Sequence, residues 1–573
     1  MLGARANEWS APALTFATTR DGARSREAWK RGGRGAEAQR RLNRALTASR
    51  GPRELLERVN GASGAALNSI NTSAALHRLA VLWRESELQG ASHRGGGFGR
   101  SVGKLLDGPG FRRLQARALE QAPEMDPRAL ASTAWALAAI PEWGAREGGA
   151  EVLAAVLPQV LAGLRHFRGP ELTQVLWALA SLGHAPDPGM LAALQARLQA
   201  LAVGEDADAA RLGPGEASIG LWSLAKLGGG QGPGDSGAAT ARGALVRCAE
   251  RQLVAFSTQE LSNVLWGLAR ARDYPGAAFL DAAALELQHR AGEFDPRNVA
   301  SLLWSFATLG HDLPPEALKI LSAEAERCMG LFGPRGLAVV LWAFARLGLS
   351  PSFLMAAVAR CRELEEAGAL GVRDLAMVSW SLVVIGDYTT PGVRAFLEAA
   401  WTSLCRYRPE DFKPAALSML YYVWLALDQE LPCPDREFPE KLSGAASGAW
   451  EDALRESSIS SLQQDVSDTL KRMGFSHDSE ALVEDGMFSV DILVDGQAAV
   501  IEVDGPHHFT QNTRRPLGPT LLRRRLLTSR GLQVVSVPFF EWDACSDFEA
   551  KCGLLARLLT CVLYPKVLES IDL

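Results

Sequence analysis

The sequence predicts a mostly helical chain, an α-solenoid of helix–turn–helix repeats followed by a small α/β domain. Three observations predict it. A tryptophan-centred motif returns seven times at spacings near forty residues, and five of the copies stop on glycine. Past residue 440 the texture changes to strand-like runs that meet at an Asp-Gly pair.

The repeat comes first along the chain. Seven of the 15 tryptophans sit in one context: Trp135, Trp177, Trp222, Trp266, Trp304, Trp342 and Trp380, separated by 42, 45, 44, 38, 38 and 38 residues. LSMLYYVWLAL reads as an eighth copy with Tyr422 in the Trp place, and SAALHRLAVL as a degenerate first copy with His77 there. Self-similarity at such a period signals stacked helical units that bury their apolar faces on one another. At about 100° per residue, the positions five and one before Trp, and two and five after it, form one apolar face. In the Trp304 copy these are Val299, Leu303, Phe306 and Leu309. Three after Trp is Ala in six copies, which lets neighbouring helices approach. Six after it is Gly in five copies (Gly183, Gly228, Gly310, Gly348, Gly386), read as left-handed helix stops.

Two positions are not fixed by this packing. Three before Trp stand Ser132, Gln174, Ile219, Asn263, Ser301, Val339 and Met377; four after it stand Ala139, Ser181, Lys226, Arg270, Thr308, Arg346 and Val384. They plot as one strip opposite the predicted core. Such a strip varies either because it reads a target, as in modular RNA binders, or because a surface drifts freely. On the first reading Gln174, Asn263, Arg270, Ser301 and Arg346 are candidate RNA contacts.

Residues 441–460, rich in Gly, Ala and Ser around Leu442 to Ala449, read as a linker. A helix near Ser461 to Met473 follows. Then MFSVDILV and AAVIEVDG meet at Asp495-Gly496, a hairpin signal. An Arg-rich helix closed by Gly531, a buried strand in LQVVSVPFFEW and a last helix from Asp547 to Leu559 complete an α-β-β-α-β-α order.

Asp491 is read at the end of one strand and Glu502 and Asp504 on the next, with His507 and His508 immediately after. Glu502 and Asp504, two apart on a strand, share a face. Three carboxylates and an imidazole could hold Mg²⁺ or Mn²⁺ and activate water against a phosphodiester. The competing reading is a structural acidic patch that pairs with the Arg-rich helix. Between Gly505 and Arg530 there are six arginines and no acid. Arg514, Arg515, Arg523 and Arg524 are therefore candidate phosphate contacts, the bland alternative for Arg524 and Arg525 being a solvated helix face.

The array, over roughly 110–440, resembles the octotricopeptide and FAST-type helical repeats of organellar RNA-binding proteins, through the late 38-residue period and the LW-A/S-L/F-A-x-L-G core. Generic armadillo or HEAT-like scaffolds share its outline. The C-terminal segment resembles the RAP domain in four ordered blocks: VDILV, IEVDGPHHF, T-LLRRRLL and G-L-VVSVPFFEW. That resemblance implies RNA binding, organellar RNA metabolism and a fold like the PD-(D/E)xK nucleases of the very-short-patch-repair branch. The lysine of the nuclease motif is missing, since the sequence runs Glu502-Val503-Asp504. Fold-level likeness is weak grounds for chemistry, so binding without cleavage ranks ahead of cleavage.

Charge and composition limit the alternatives. Residues 1–50 hold eleven Lys/Arg and four Asp/Glu, a net of +7; the rest hold 49 against 61, a net of −12. An acidic body excludes indiscriminate phosphate binding and requires local contacts. The basic segment, rich in Arg, Ala, Ser and Thr, suits an organellar transit peptide or a plain basic tail. Eight cysteines without a CxxC pair read as thiols in a reducing compartment rather than a zinc site. No apolar run approaches the roughly 18 residues of a membrane helix. GGGFGRSVGKL (Gly95 to Leu105) lacks the first Gly and the Ser/Thr of a P-loop and reads as a linker.

The domain reading is a basic segment (1–50), a degenerate repeat and linker (51–110), the array (111–440), a linker (441–460) and the α/β domain (461–565). The function expected is binding of single-stranded RNA in a mitochondrion or chloroplast. It would serve RNA processing, stability or translation, with other RNA-processing proteins as further partners and no membrane. The alternatives are a metal-dependent endoribonuclease using Asp491, Glu502, Asp504 and His507, and a protein-binding helical scaffold.

Overall fold

The computed structural model describes residues 34–90, 104–204, 212–228, 236–433, 437–455, 460–483, 488–494 and 499–563. Most of the basic N-terminal segment, most of the Gly95 to Leu105 run and the Asp495-Gly496 turn lie outside them. The chain divides between Pro275 and Gly276 into two compact units.

In the first unit each Trp motif is one helix of a hairpin. The helices are Pro127–Ala139, Gly169–Leu182, Pro214–Leu227 and Thr258–Ala271, preceded by the His77 helix, Ser69–Gly90. Partner helices such as Glu147–Gly163, Pro188–Val203 and Ser236–Glu250 fill the rest of each period. Successive Trp helices pack on one another, and the partners Pro188–Val203 and Ser236–Glu250 do the same in a second layer. The sequence sets the ends. Pro127 and Pro214 open their helices, where a missing N–H costs nothing. Asp126 accepts from the Ala129 N–H, and Ser257 forms a capping box with Glu260. Gly183 ends its helix at φ 65°, as expected. Gly228 does not, standing at φ −76°, and Arg272 takes the left-handed place in the Trp266 copy at φ 51°.

The rings form contacts between repeats. His77 lies 4.7 Å from Trp135, Trp135 lies 6.3 Å from Trp177, and Trp222 lies 6.1 Å from Trp266. His77 thus occupies the Trp place of a first repeat. Close approach depends on the small positions: a Cβ on Gly267 would sit 2.9 Å from the Leu221 carbonyl carbon. Helix Glu147–Gly163, with its short continuation to His166, is long and apolar enough by composition to cross a membrane, which the sequence reading did not expect. Here it buries Val152, Val156 and Val160 as the partner of the Trp135 helix.

The second unit continues the pattern. Its Trp helices are Pro296–Leu309, Pro334–Arg346 and Val372–Ile385, followed by the Tyr422 helix, Pro414–Glu430. The expected linker near Leu442 is instead a helix, Glu440–Arg455, which buries Leu442 and Ala446 and packs on the Tyr422 helix. It completes the hairpin of the Tyr422 helix. Ala446 is among its buried residues, whereas Gly444 and Gly448 face open space.

The α/β domain holds a four-stranded sheet in the order β1 (His477–Val483), β2 (Phe488–Val494), β3 (Ala499–Asp504), β4 (Gln533–Pro538). The β2–β3 pair is antiparallel, with Val494 opposite Ala499, as the Asp-Gly signal predicts; β4 runs parallel to β3. Strand β1 is absent from the sequence reading, because its Asp478, Ser479 and Glu480 make a polar edge rather than an alternating one. FFEW is a helical turn, Phe539–Trp542, rather than the end of β4. One sheet face carries Ile492, Ile501, Val503, Val535 and Val537 against helices Ser461–Arg472 and Phe548–Leu563. Glu502 and Asp504, alternating with those β3 residues, belong to the opposite face.

Candidate nucleic-acid interface

Strand alternation puts Asp491, Glu502 and Asp504 on the face covered by the arginine helix, Gly518–Ser529. Each carboxylate is engaged there. The Arg523 guanidinium donates to both oxygens of Glu502, at 2.7 and 3.0 Å, and also to the Ser489 carbonyl. Arg524 and the Ser536 hydroxyl donate to Asp504, and His508 Nδ1 lies 3.4 Å from it. Asp491 stands in the middle of β2, not at its end, and accepts the Val503 N–H at 2.7 Å. Burial first, and then the charge of Glu502, push the Asp491 carboxyl up to about 7. Burial also holds His508 down, at about 4, and holds His507 below the usual histidine range with help from Arg346.

These residues do not fit a divalent ion. Glu502 and Asp504 are neutralised by arginines rather than poised for a cation, and among the described residues no group of three or more His, Cys, Asp or Glu side chains is arranged to hold one. The geometry follows the acidic-patch reading instead.

The remaining arginines join the domain to the last repeats. Arg515 pairs with Asp312 and donates to the Leu347 carbonyl. Arg525 pairs with Glu430 and donates to the carbonyls of Val383 and Val384. Gln511 N–H donates to the Gly310 carbonyl at 2.7 Å, Asn512 exchanges two hydrogen bonds with the Asp312 backbone, and Gln429 donates to the Ser529 carbonyl. The domain thus satisfies carbonyls at the C-terminal ends of successive repeat helices, where the helix dipole is negative and guanidinium groups are favoured. The left-handed stops make room: a Cβ on Gly386 would meet Arg525 Nη1 at 2.6 Å, and one on Gly348 would meet the Leu521 side chain at 3.0 Å. Arg525 is therefore a docking residue rather than a solvated one. Arg515, Arg523 and Arg524 hold acids of the chain itself, so the expectation that they serve chiefly as phosphate contacts needs correcting.

The strip also needs correction. Asn263, Ser301, Ile219, Val339 and Met377 are at most 8% exposed, and within each unit the Trp helices pack on one another. Gln174 and Ser132 are half-buried. The helical plot placed this position opposite the core, but a stacked helix has neighbours on two further sides. The position four after Trp stays accessible in several copies: Lys226, Arg270 and Arg346 are all half-buried. Lys226 lies 4.5 Å from the centre of the Trp222 ring. Burial, and then the charge of Arg270, hold Lys226 below the usual lysine range. Among the described residues neither Lys226 nor Arg270 has a carboxylate partner. The charge of Arg346 acts on His507 within the second unit. The sequence reading did not single out Lys226; its signal was the recurrence of a cation at one position of successive copies.

Helical hairpins in each unit, with a small mixed sheet in the second, define the class of protein. Residues 501–558 match the RAP domain model, so the chain carries a RAP domain. Residues 225–352 match the model of the Tbc2 translation factor N-terminal domain. Among curated proteins the chain is similar to a RAP domain-containing protein, chloroplastic, of Oryza sativa subsp. japonica, at 25% identity over 176 residues. The match covers 29% of this chain and 27% of that relative.

Proposed function

We propose that the chain is an organellar RNA-binding factor that holds single-stranded RNA on its repeats and acts in RNA processing, stability or translation. The observation that carries this reading is the Lys226–Arg270 pair. Two like charges, half-buried at equivalent positions of adjacent helices with no acid beside them among the described residues, favour an anion that joins them. On a chain of net charge −5, such a site favours a phosphate chain over a protein surface at large. The RAP domain supports RNA as that chain. The chloroplastic relative favours an organelle, and the translation-factor match favours a role in translation. The acids Asp491, Glu502 and Asp504 serve the domain's structure, so the reading is binding without cleavage.

The test is cross-linking in cells followed by sequencing of the RNA bound to the intact protein. Enrichment of a small set of organellar transcripts supports the reading. Recovery of no RNA above background would favour the protein-scaffold alternative.

A further inference from the structure

Resting on that reading, we infer that the RAP domain carries a stacking site for one unpaired nucleobase, built from Arg514, Phe540 and Phe539. The loop that holds Arg514 is fixed on both sides. Phe509 bridges to Pro516, Thr510 N–H donates to the Arg515 carbonyl, and Gln511, Asn512, Thr513 and Arg515 all bond the Gly310–Asp312 corner. Arg514 alone in this run turns away from that corner, at φ 57°, a conformation that is strained for a residue other than glycine and persists only where surroundings impose it. Its guanidinium carbon lies 5.0 Å from the centre of the Phe540 ring. Arg515, Arg523, Arg524 and Arg525 each pair with a carboxylate. Arg514 is exposed and, among the described residues, has no such partner.

The rings beneath it form a cluster. Phe540 lies 5.1 Å from buried Phe509 and 5.4 Å from Phe539, in edge-to-face arrangements, and both Phe539 and Phe540 stay half-exposed. The turn Phe539–Trp542 is anchored by buried Trp542, whose indole N–H donates to Asp465. An exposed guanidinium beside an aromatic ring that is itself held from beneath offers a flat cationic surface that a base of any identity can cover. The ligand is a single-stranded RNA nucleotide, recognised by its π-face rather than its edge.

The experiment uses the full chain and a single-stranded oligoribonucleotide carrying 4-thiouridine, cross-linked by light and mapped by peptide mass. The cross-link is expected within residues 505–542. It should be lost in both Arg514→Ala and Arg514→Lys, because lysine keeps the charge and loses the plane, with binding weakened about tenfold. Unchanged melting of both variants guards against a folding effect. A cross-link retained at full strength in Arg514→Lys would overturn stacking in favour of a simple charge contact. RNA bound without any cross-link in this segment would overturn the site and leave the repeats as the reader. No RNA bound by the wild type would overturn both readings.

Discussion

Arg525 of the RAP domain and Glu430 of the last Trp-type helix form a bidentate ion pair 95 residues apart in sequence, and the same guanidinium also donates to the carbonyls of Val383 and Val384. One side chain thus joins the domain to two successive repeats. Arg525→Ala should lower the stability of the second unit by about 1.5–3 kcal/mol, the range for hydrogen bonds to charged groups. Arg525→Glu should cost more, and Glu430→Arg in the same chain should recover part of the loss. Thermal melting of the four proteins checks the cycle; no recovery in the double variant would mean that the pair does not couple the domain to the array.

Glycines of this domain should respond with opposite signs. A Cβ on Gly518 would lie 1.8 Å from the Ala345 carbonyl oxygen, a backbone atom that has no way to swing aside. Gly518→Ala should cost about 3 kcal/mol or more, above the usual range for overpacking. Gly553 is exposed within helix Phe548–Leu563 and a Cβ there meets nothing within 4 Å. Gly553→Ala should stabilise by about 0.5–1 kcal/mol through helix propensity. Denaturant midpoints distinguish the two; equal effects would contradict the docking geometry.

The pH dependence of stability has two acids of opposite sign. Asp491, pushed up to about 7, binds its proton more tightly folded than unfolded, so its contribution is full below the unfolded carboxyl range and declines as pH rises towards 7. Asp312 is held below the usual range: burial opposes this, but the Arg515 and Thr513 hydrogen bonds outweigh it. Its contribution is present at neutral pH and is lost in acid. Asp491→Asn should therefore gain stability relative to wild type on going from about pH 5 to about pH 8, by on the order of 1–3 kcal/mol. Asp312→Asn should lose relative stability at neutral pH and approach wild type in acid. Melting across that range, with the two differences plotted together, decides the signs.

Much of this fold could be read from residues near one another in sequence. The Trp period, the proline starts, the Gly310 and Gly386 stops and the Asp-Gly pair all act locally, and even the degenerate copies at His77 and Tyr422 fell into place. What could not be read were partners far apart. Nothing around Gly310-His311-Asp312 announces that Asp312 meets Arg515, 203 residues later. The acids of β2 and β3 allowed either a metal site or pairing with the Arg-rich helix, and the choice rests on where the fold places Arg523 and Arg524. The strip three before Trp differs for another reason: a single-helix plot has one core, while a Trp helix also packs on the neighbouring Trp helices of its own unit, and so Ile219 and Val339 are enclosed.

The central claim, RNA held on cations of the repeats, is tested most directly by the salt dependence of binding. Purified wild type and Lys226→Ala/Arg270→Ala are titrated with single-stranded RNA over a range of salt, with melting as the check on folding. Each phosphate contact contributes about 0.7 to the slope of log affinity against log salt for a single strand, so removing two should flatten the slope by about 1.4 while weakening binding at low salt. The expected result is that flattening, with a melting point no lower than that of wild type. A slope identical to wild type in the folded double variant would contradict it.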